Sequence, residues 1–165
     1  MADSRNIVLV RALVNGMPVM AGLESFSAPS VEKTTEDDKG GRFVSIKSVV
    51  GVTMGDWTLT LTNGAAEFIR AMGAGENAEV TVLLSIKGDD GTKTQIKHEM
   101  SGEVLKAEGG DIKVGKDSLT ITGTPYAYTL TQGGSVVHDI NGKTQKCIVG
   151  GHDLLAEARN HIDLP

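Results

Sequence analysis

Three segments of the chain alternate between apolar and polar residues with a period of two. They are WTLTLT (57–62), VTVLLSIK (80–87) and SLTITGT (118–124). Because successive side chains of a β-strand point to opposite faces of a sheet, this period predicts half-buried strands. The polar face is rich in threonine, serine and lysine. The apolar face is expected to contain Trp57, Leu59, Leu61, Val80, Val82, Leu84, Ile86, Leu119 and Ile121.

Turn signals separate these segments from further extended runs. Asn15-Gly16 lies between two such runs, and this dipeptide accepts the positive φ angles of a two-residue hairpin turn. Other breaks fall at 88–91, 109–110, 133–134 and 141–142. The chain contains 21 glycines and only 4 prolines, which suits many tight turns. We therefore expect about seven or eight strands, most of them antiparallel.

Two helices are predicted to pack against this sheet. The first covers residues 65–72 of NGAAEFIRAMG and stops at Gly73. The second begins at Asp153, a favourable N-cap residue, and its apolar stripe consists of Leu154, Leu155, Ala158 and Ile162. With no linker or repeat in view, residues 1–165 are expected to form one mainly β (α+β) domain, an antiparallel barrel or sandwich with a packed helix and a short C-terminal helix.

Charge and cysteine content exclude several classes of protein. The net charge is -5, and a protein that binds nucleic acid by neutralising phosphates needs clustered lysine and arginine instead. One cysteine, Cys147, cannot form an internal disulfide, so the cytoplasm is the default compartment. No run approaches the roughly 18 to 20 apolar residues that span a bilayer. The N-terminus lacks the pattern of a secretory signal, and no membrane binding is expected.

The sequence contains no complete motif for catalysis, for cofactor binding or for metal binding. GDIKVGK (110–116) has the spacing of a Walker A motif, but Asp117 stands where a magnesium-binding serine or threonine belongs. The four histidines, His98, His138, His152 and His161, lack zinc-site spacing and are interpreted as surface or structural residues. Cys147 lies in an apolar run and is interpreted as a small buried residue. We expect no catalytic, cofactor-binding or metal-binding residues.

A charged stretch, KTTEDDKGGRF, lies between two strand-like runs and contains a glycine pair near its end. Its carboxylates are interpreted as a solvated surface, because a general acid needs a pocket that shifts its pKa. The stretch is predicted to be an extended arm loop at about 29–43. Its function is left open between a contact with another protein and a flexible surface loop.

The order of these landmarks resembles the major tail tube protein of contractile-tailed bacteriophages, the family that includes the tube subunits of P2-like phages and R-type pyocins. In the arm, Lys33, Glu36 and the pair Gly40-Gly41 match the family pattern. Asp38-Lys39 replaces its usual aromatic-arginine pair. Near the C-terminus the resemblance rests on TPYAYTLTQGGSVVHDINGK and on GGHDLL, which takes the place of the family's N-G-x-D-x-L helix entry.

The resemblance implies a structural subunit without enzymatic activity. Hexameric rings of this chain would stack into a tube inside the contractile sheath, with baseplate and tail-terminator proteins at the ends. DNA would pass through the lumen without specific binding, on its way into the host. The protein would be made in the host bacterial cytoplasm and end in the virion. Contacts between subunits or rings are expected at Lys33, Glu36, Asp37, Asp38, Lys39, Gly40, Gly41 and Arg42.

Two alternatives remain open at the level of sequence. The same kind of tube occurs in phage-like bacteriocins and in type VI secretion systems. A different class, a small soluble ligand-binding β-barrel, also fits the strand pattern, although the chain is poor in aromatic residues.

Overall fold

The computed structural model of the protein describes residues 6–15, 17–18, 22–62, 70, 78–110, 114 and 117–162. Within these ranges it bounds twelve strands and one helix, more strands than the seven or eight expected, because the arm adds two and two others are very short. The elements are β1 (Asn6–Val14), β2 (Met17–Pro18), β3 (Gly22–Ser27), β4 (Val31–Asp38), β5 (Ile46–Met54), β6 (Trp57–Thr62), β7 (Ala78–Lys87), β8 (Lys93–Gly109), β9 (Ser118–Gln132), β10 (Ser135–Asn141), β11 (Lys146–Val149), β12 (His152–Asp153) and α1 (Ala156–His161).

Ten strands form one sheet, in which every described pairing is antiparallel. Its main path runs β12-β11-β10-β9-β8-β7-β1-β2. Strand β9 pairs with β8 along its length and divides its other edge between two partners. Its first half pairs with β6, which carries β3, and its second half pairs with β10. The sheet thereby curves so that β3 and β6 face β1 and β7 across a shared core.

The predicted alternation is confirmed in this core. Trp57, Leu59 and Leu61 of β6 are almost completely buried, and Val80 and Val82 of β7 meet them from the other side. Burial of a side chain of this size stabilises the fold by roughly 1.5–3 kcal/mol. The other buried members of the cluster are Ala12, Val14, Ala78, Met100, Val104, Leu119, Ile121 and Tyr128.

Glycine pairs make the tightest connections, as predicted for 133–134. Gly133 and Gly134 have φ angles of 58° and 83° and join β9 to β10 through a two-residue turn. Gly150 and Gly151, with φ angles of 62° and 83°, join β11 to β12 in the same way. Because side chains disfavour positive φ, glycine is the residue suited to both turns.

This second turn corrects the predicted C-terminal helix. After Gly151 the chain pairs back on β11, so Asp153 ends β12 and α1 begins only at Ala156. The carboxylate of Asp153 still accepts a hydrogen bond from the backbone N–H of Leu155, at 3.0 Å. Leu154 and Ile162 are 44% and 68% exposed and Ala158 is exposed, whereas Leu155 is half-buried, so the subunit leaves most of the predicted apolar stripe uncovered.

Other predictions lie outside the described residues. The helix over 65–72 does so apart from Arg70, and the interior of the Walker-like segment 110–116 does so apart from Val114. Where the chain is described, no helix is long and apolar enough to cross a membrane.

Candidate assembly surfaces

The charged arm is a β-hairpin, which corrects the predicted loop. Strands β4 and β5 pair from Val31↔Met54 to Asp38↔Ile46 and form a two-stranded sheet of their own. At a rise of about 3.3 Å per residue, the eight residues of β4 span about 25 Å. At its base, Val31 and Met54 pack against the core. Among the described residues no further strand pairs with either edge of the hairpin, which therefore projects as a two-stranded ribbon.

All eight predicted contact residues lie on this ribbon and are exposed. Lys33, Glu36, Asp37 and Asp38 belong to β4, and the turn supplies the rest. The backbone N–H of Arg42 donates to the carbonyl of Lys39 at 2.6 Å. Gly40 and Gly41 occupy the two central positions with φ angles of 44° and 76°, which explains the glycine pair.

Charges of both signs are balanced along the arm. Residues 31–47 contain four acidic and four basic side chains, although the whole chain carries a net charge of -5. Asp37 lies opposite Lys47 in the hairpin register, yet none of the arm's charged side chains forms an ion pair within the described part of the chain. These charges are thus available to another protein.

Apolar residues of the arm are the feature that sequence reasoning missed. Phe43 and Val44, directly after the turn, are 99% and 72% exposed, and Ile46, Val49 and Val50 are each more than half exposed. The signal was present in the sequence as RFVSIKSVV, an apolar run joined to a charged one. A cluster of exposed apolar side chains of this kind marks a protein interaction site.

A second apolar surface lies on β1. This strand pairs with β7 on one side, whereas β2 covers only Leu13 and Val14 on the other. From Asn6 to Ala12 the second edge has no strand partner among the described residues. Four consecutive apolar residues lie there, with Ile7 and Leu9 60% and 71% exposed. A bare apolar edge invites pairing with another chain.

A cleft of about 430 Å³ separates the base of the arm from the β10–β11 turn. Val49 and Val50 of β5 line one wall, and Ile140, Leu154 and Leu155 line the other. The register of the hairpin shifts at Val50, which is a β-bulge that gives the two adjacent valines access to the same cleft.

Inside the subunit, His98 and Tyr128 form a part-buried polar contact beside the core. The Nδ1 atom of His98 lies 2.8 Å from the hydroxyl oxygen of Tyr128. Desolvation lowers the pKa of His98 and raises the pKa of Tyr128 to about 12, because burial disfavours the charged form of each group. Both side chains are therefore neutral near neutral pH, and the contact is structural.

The single cysteine and two further histidines were also candidates for catalytic or metal-binding residues. Cys147 is buried, as predicted, and His152 and His161 are exposed. Across the described residues, no group of three or more histidine, cysteine, aspartate or glutamate side chains could hold a metal ion.

The arm and the β1 edge both offer backbone hydrogen-bonding groups and apolar side chains to a further protein, which is characteristic of a subunit of a larger assembly. The family model described as phage tail tube protein FII matches residues 4–162. The chain belongs to this family. It is a structural, non-enzymatic subunit of a contractile tail tube and a component of a virion or phage-like particle.

Solved structures share the fold at low sequence identity. A chain of the extracellular contractile injection system PVC sheath/tube terminator has a TM-score of 0.58 at 14% identity, covering 74% of this chain and 92% of that one. A chain of the anti-feeding prophage baseplate has a TM-score of 0.53 at 13% identity, covering 74% and 90%. Hcp1 from Flavobacterium johnsoniae has a TM-score of 0.51 at 16% identity, covering 78% and 98%. None of the curated proteins matches the chain significantly.

Proposed function

We propose that residues 1–165 form a single domain that closes edge to edge into six-membered rings, and that these rings stack into the tube. The observation that carries the proposal is the bare apolar edge of β1 at Asn6–Ala12. A closed ring pairs each such edge with the next subunit, so that no edge remains open to aggregation. The six-fold symmetrisation of the related baseplate structure supports the ring number.

The arm would connect subunits or successive rings. A lone two-stranded hairpin is at best marginally stable in water, so an adjoining subunit would stabilise it. Its glycine turn permits close approach of the backbone, and its unpaired charges can meet opposite charges on the neighbour. The proposed contact residues are Lys33, Glu36, Asp37, Asp38, Lys39, Gly40, Gly41 and Arg42.

The tube would lie inside a contractile sheath, with baseplate and terminator proteins at its ends. The baseplate and sheath/tube terminator structures that share this fold support those partners. DNA would pass through the lumen without specific binding, because a subunit with a net charge of -5 does not hold phosphates by ion pairs. Synthesis would occur in the host bacterial cytoplasm, before assembly into the virion.

A tube of a bacteriocin or of a type VI secretion system is the second candidate, favoured by the structural similarity to Hcp proteins. Neighbouring capsid genes would identify a phage. The ligand-binding barrel is set aside, because the family match defines a structural protein.

Electron micrographs of the purified protein test ring formation, supported by size-exclusion chromatography over a range of concentrations. Wild-type protein is expected to form rings or tubes. Leu9→Lys places a charge at the exposed β1 edge and should reduce ring formation with the circular dichroism unchanged. Val136→Lys, at another partly exposed apolar strand position, is the control and should assemble normally. A strictly monomeric wild type at high concentration would refute the proposal.

A further inference from the structure

The tip of the arm carries an aromatic side chain that its own subunit leaves uncovered. Phe43 is 99% exposed, and Val44 beside it is 72% exposed. Burial of a phenylalanine side chain removes a large apolar surface from water, so a contact here can supply binding energy that the charged residues of an exposed surface do not. Aromatic residues, phenylalanine included, are also enriched at the cores of protein interfaces.

The cleft between β5 and the β10–β11 turn is an apolar recess that could receive an apolar side chain such as Phe43. It is lined mainly by apolar side chains, and three of them remain well exposed, namely Val49 at 58%, Val50 at 55% and Leu154 at 44%. With a volume of about 430 Å³ it has room for a phenyl ring together with a neighbouring valine. The subunit thus displays both an apolar projection and an apolar recess.

The arm cannot place its own Phe43 in this recess. Val49 to Val52 lie three to six residues beyond Ile46, where the hairpin ladder ends, which is about 10–20 Å along an extended strand. Phe43 lies further out still, on the far side of Ile46. Phe43 can therefore fill the recess only if it comes from a second copy of the chain.

Charges of both signs border the two surfaces. Asp37 and Asp38 precede the turn of the arm, and Lys39 and Arg42 lie within the turn. Lys146, which lines the cleft, has its ammonium group 2.7 Å from a carboxylate oxygen of Asp139. The occupant is therefore chosen by the fit of an apolar projection to an apolar recess, and the match to a tail tube family makes a second copy of the chain that occupant.

We propose that Phe43 of one subunit inserts into the cleft formed by Val49, Val50 and Leu154 of a second copy. The inference rests on the proposed tube function and names the partner surface of the arm. In a ring or a stack of rings the contact is head to tail, since each subunit gives its arm to one neighbour and receives an arm from another. The contact then repeats along the assembly.

A cross-linking experiment on assembled protein tests this contact. The double variant Phe43→Cys with Leu154→Cys is treated with a short bis-maleimide, and a ladder of covalent multimers is expected on a denaturing gel. The matched control pairs Phe43→Cys with Val136→Cys, because Val136 is 46% exposed but lies outside the cleft. Both double variants are made in a Cys147→Ala background, because Cys147 lines the cleft and would otherwise give the control a ladder of its own.

A second variant covers the case in which the cysteines prevent assembly. Phe43→Ala should raise the concentration needed for assembly about tenfold or more, whereas Val136→Ala should not change it. Wild-type tubes with an absent ladder and an unaffected Phe43→Ala variant would overturn the Phe43 contact alone. Failure of the wild type to form rings or tubes would overturn the proposed function instead.

Discussion

The imidazole of His98 and the phenol of Tyr128 are held against each other by a hydrogen bond of 2.8 Å and by nearly parallel rings, 6.1 Å apart between centroids. Phe26 contacts His98 edge to face at 5.1 Å, and the ring of His138 lies 6.3 Å from that of Tyr128. The cluster connects β3, β8, β9 and β10. Protonation of His98 would therefore disturb the packing between four strands.

Stability should fall when the medium becomes acidic. Burial lowers the pKa of His98 from its ordinary 6.5, so the unfolded chain binds a proton more readily than the folded one. The contribution of the neutral histidine is complete above about pH 6.5 and is lost as the pH drops towards its folded-state pKa. Urea unfolding at about pH 8 and pH 5 should show a smaller loss in His98→Gln than in the wild type.

Substitution of the exposed His161 by Gln is the control for this measurement, because its ring lies on the surface of α1. It should leave the wild-type dependence on pH in place. Equal pH dependence in His98→Gln and the wild type would show that His98 has no part in acid destabilisation.

Gly123 and Trp57 are opposite one another in the β6–β9 register, and a methyl group on Gly123 would overlap the indole ring. Trp57 is 1% exposed, so its indole ring is enclosed by the core. Gly123→Ala should therefore lower the free energy of unfolding by about 1–3 kcal/mol, as is typical of overpacked cores. The urea midpoint, at an unchanged m-value, measures this loss.

Gly109 provides the matched comparison, since a methyl group there would meet nothing within 4 Å. Gly109→Ala should change the free energy of unfolding by no more than about 0.5 kcal/mol. A Gly123→Ala variant as stable as Gly109→Ala would mean that Trp57 can repack.

The core strands were predictable because their burial is one-sided. Trp57, Leu59 and Leu61 alternate with threonines, and a shift of one residue would expose all three. The turn at Gly133-Gly134 was predictable for a similarly local reason, since its φ angles favour glycine. Where one local cause determines the backbone conformation, the sequence alone is sufficient to predict it.

No local sequence pattern of this kind predicts the strands of the arm. KTTEDD has no apolar alternation, so β4 exists because β5 pairs with it, and that pairing depends on a partner strand eight or more residues away. The exposure of Phe43 is likewise a property of its surroundings in space rather than of its neighbours in the chain. At the C-terminus, Asp153 is a favourable N-cap residue, but pairing with Ile148 places it in β12.

Charges at the arm tip should strengthen ring stacking. Asp37, Asp38 and Lys39 are exposed and form no ion pair within the described residues, so replacing all three by alanine should reduce tube yield without changing the circular dichroism. Because salt shortens the Debye length from about 10 Å at 0.1 M to about 3 Å at 1 M, wild-type yield should fall with salt and the variant should respond less. Alanine at the exposed ion pair Lys106–Glu108 on β8 is the matched control. If the arm variant gave wild-type yield at low salt, stacking would not depend on these charges.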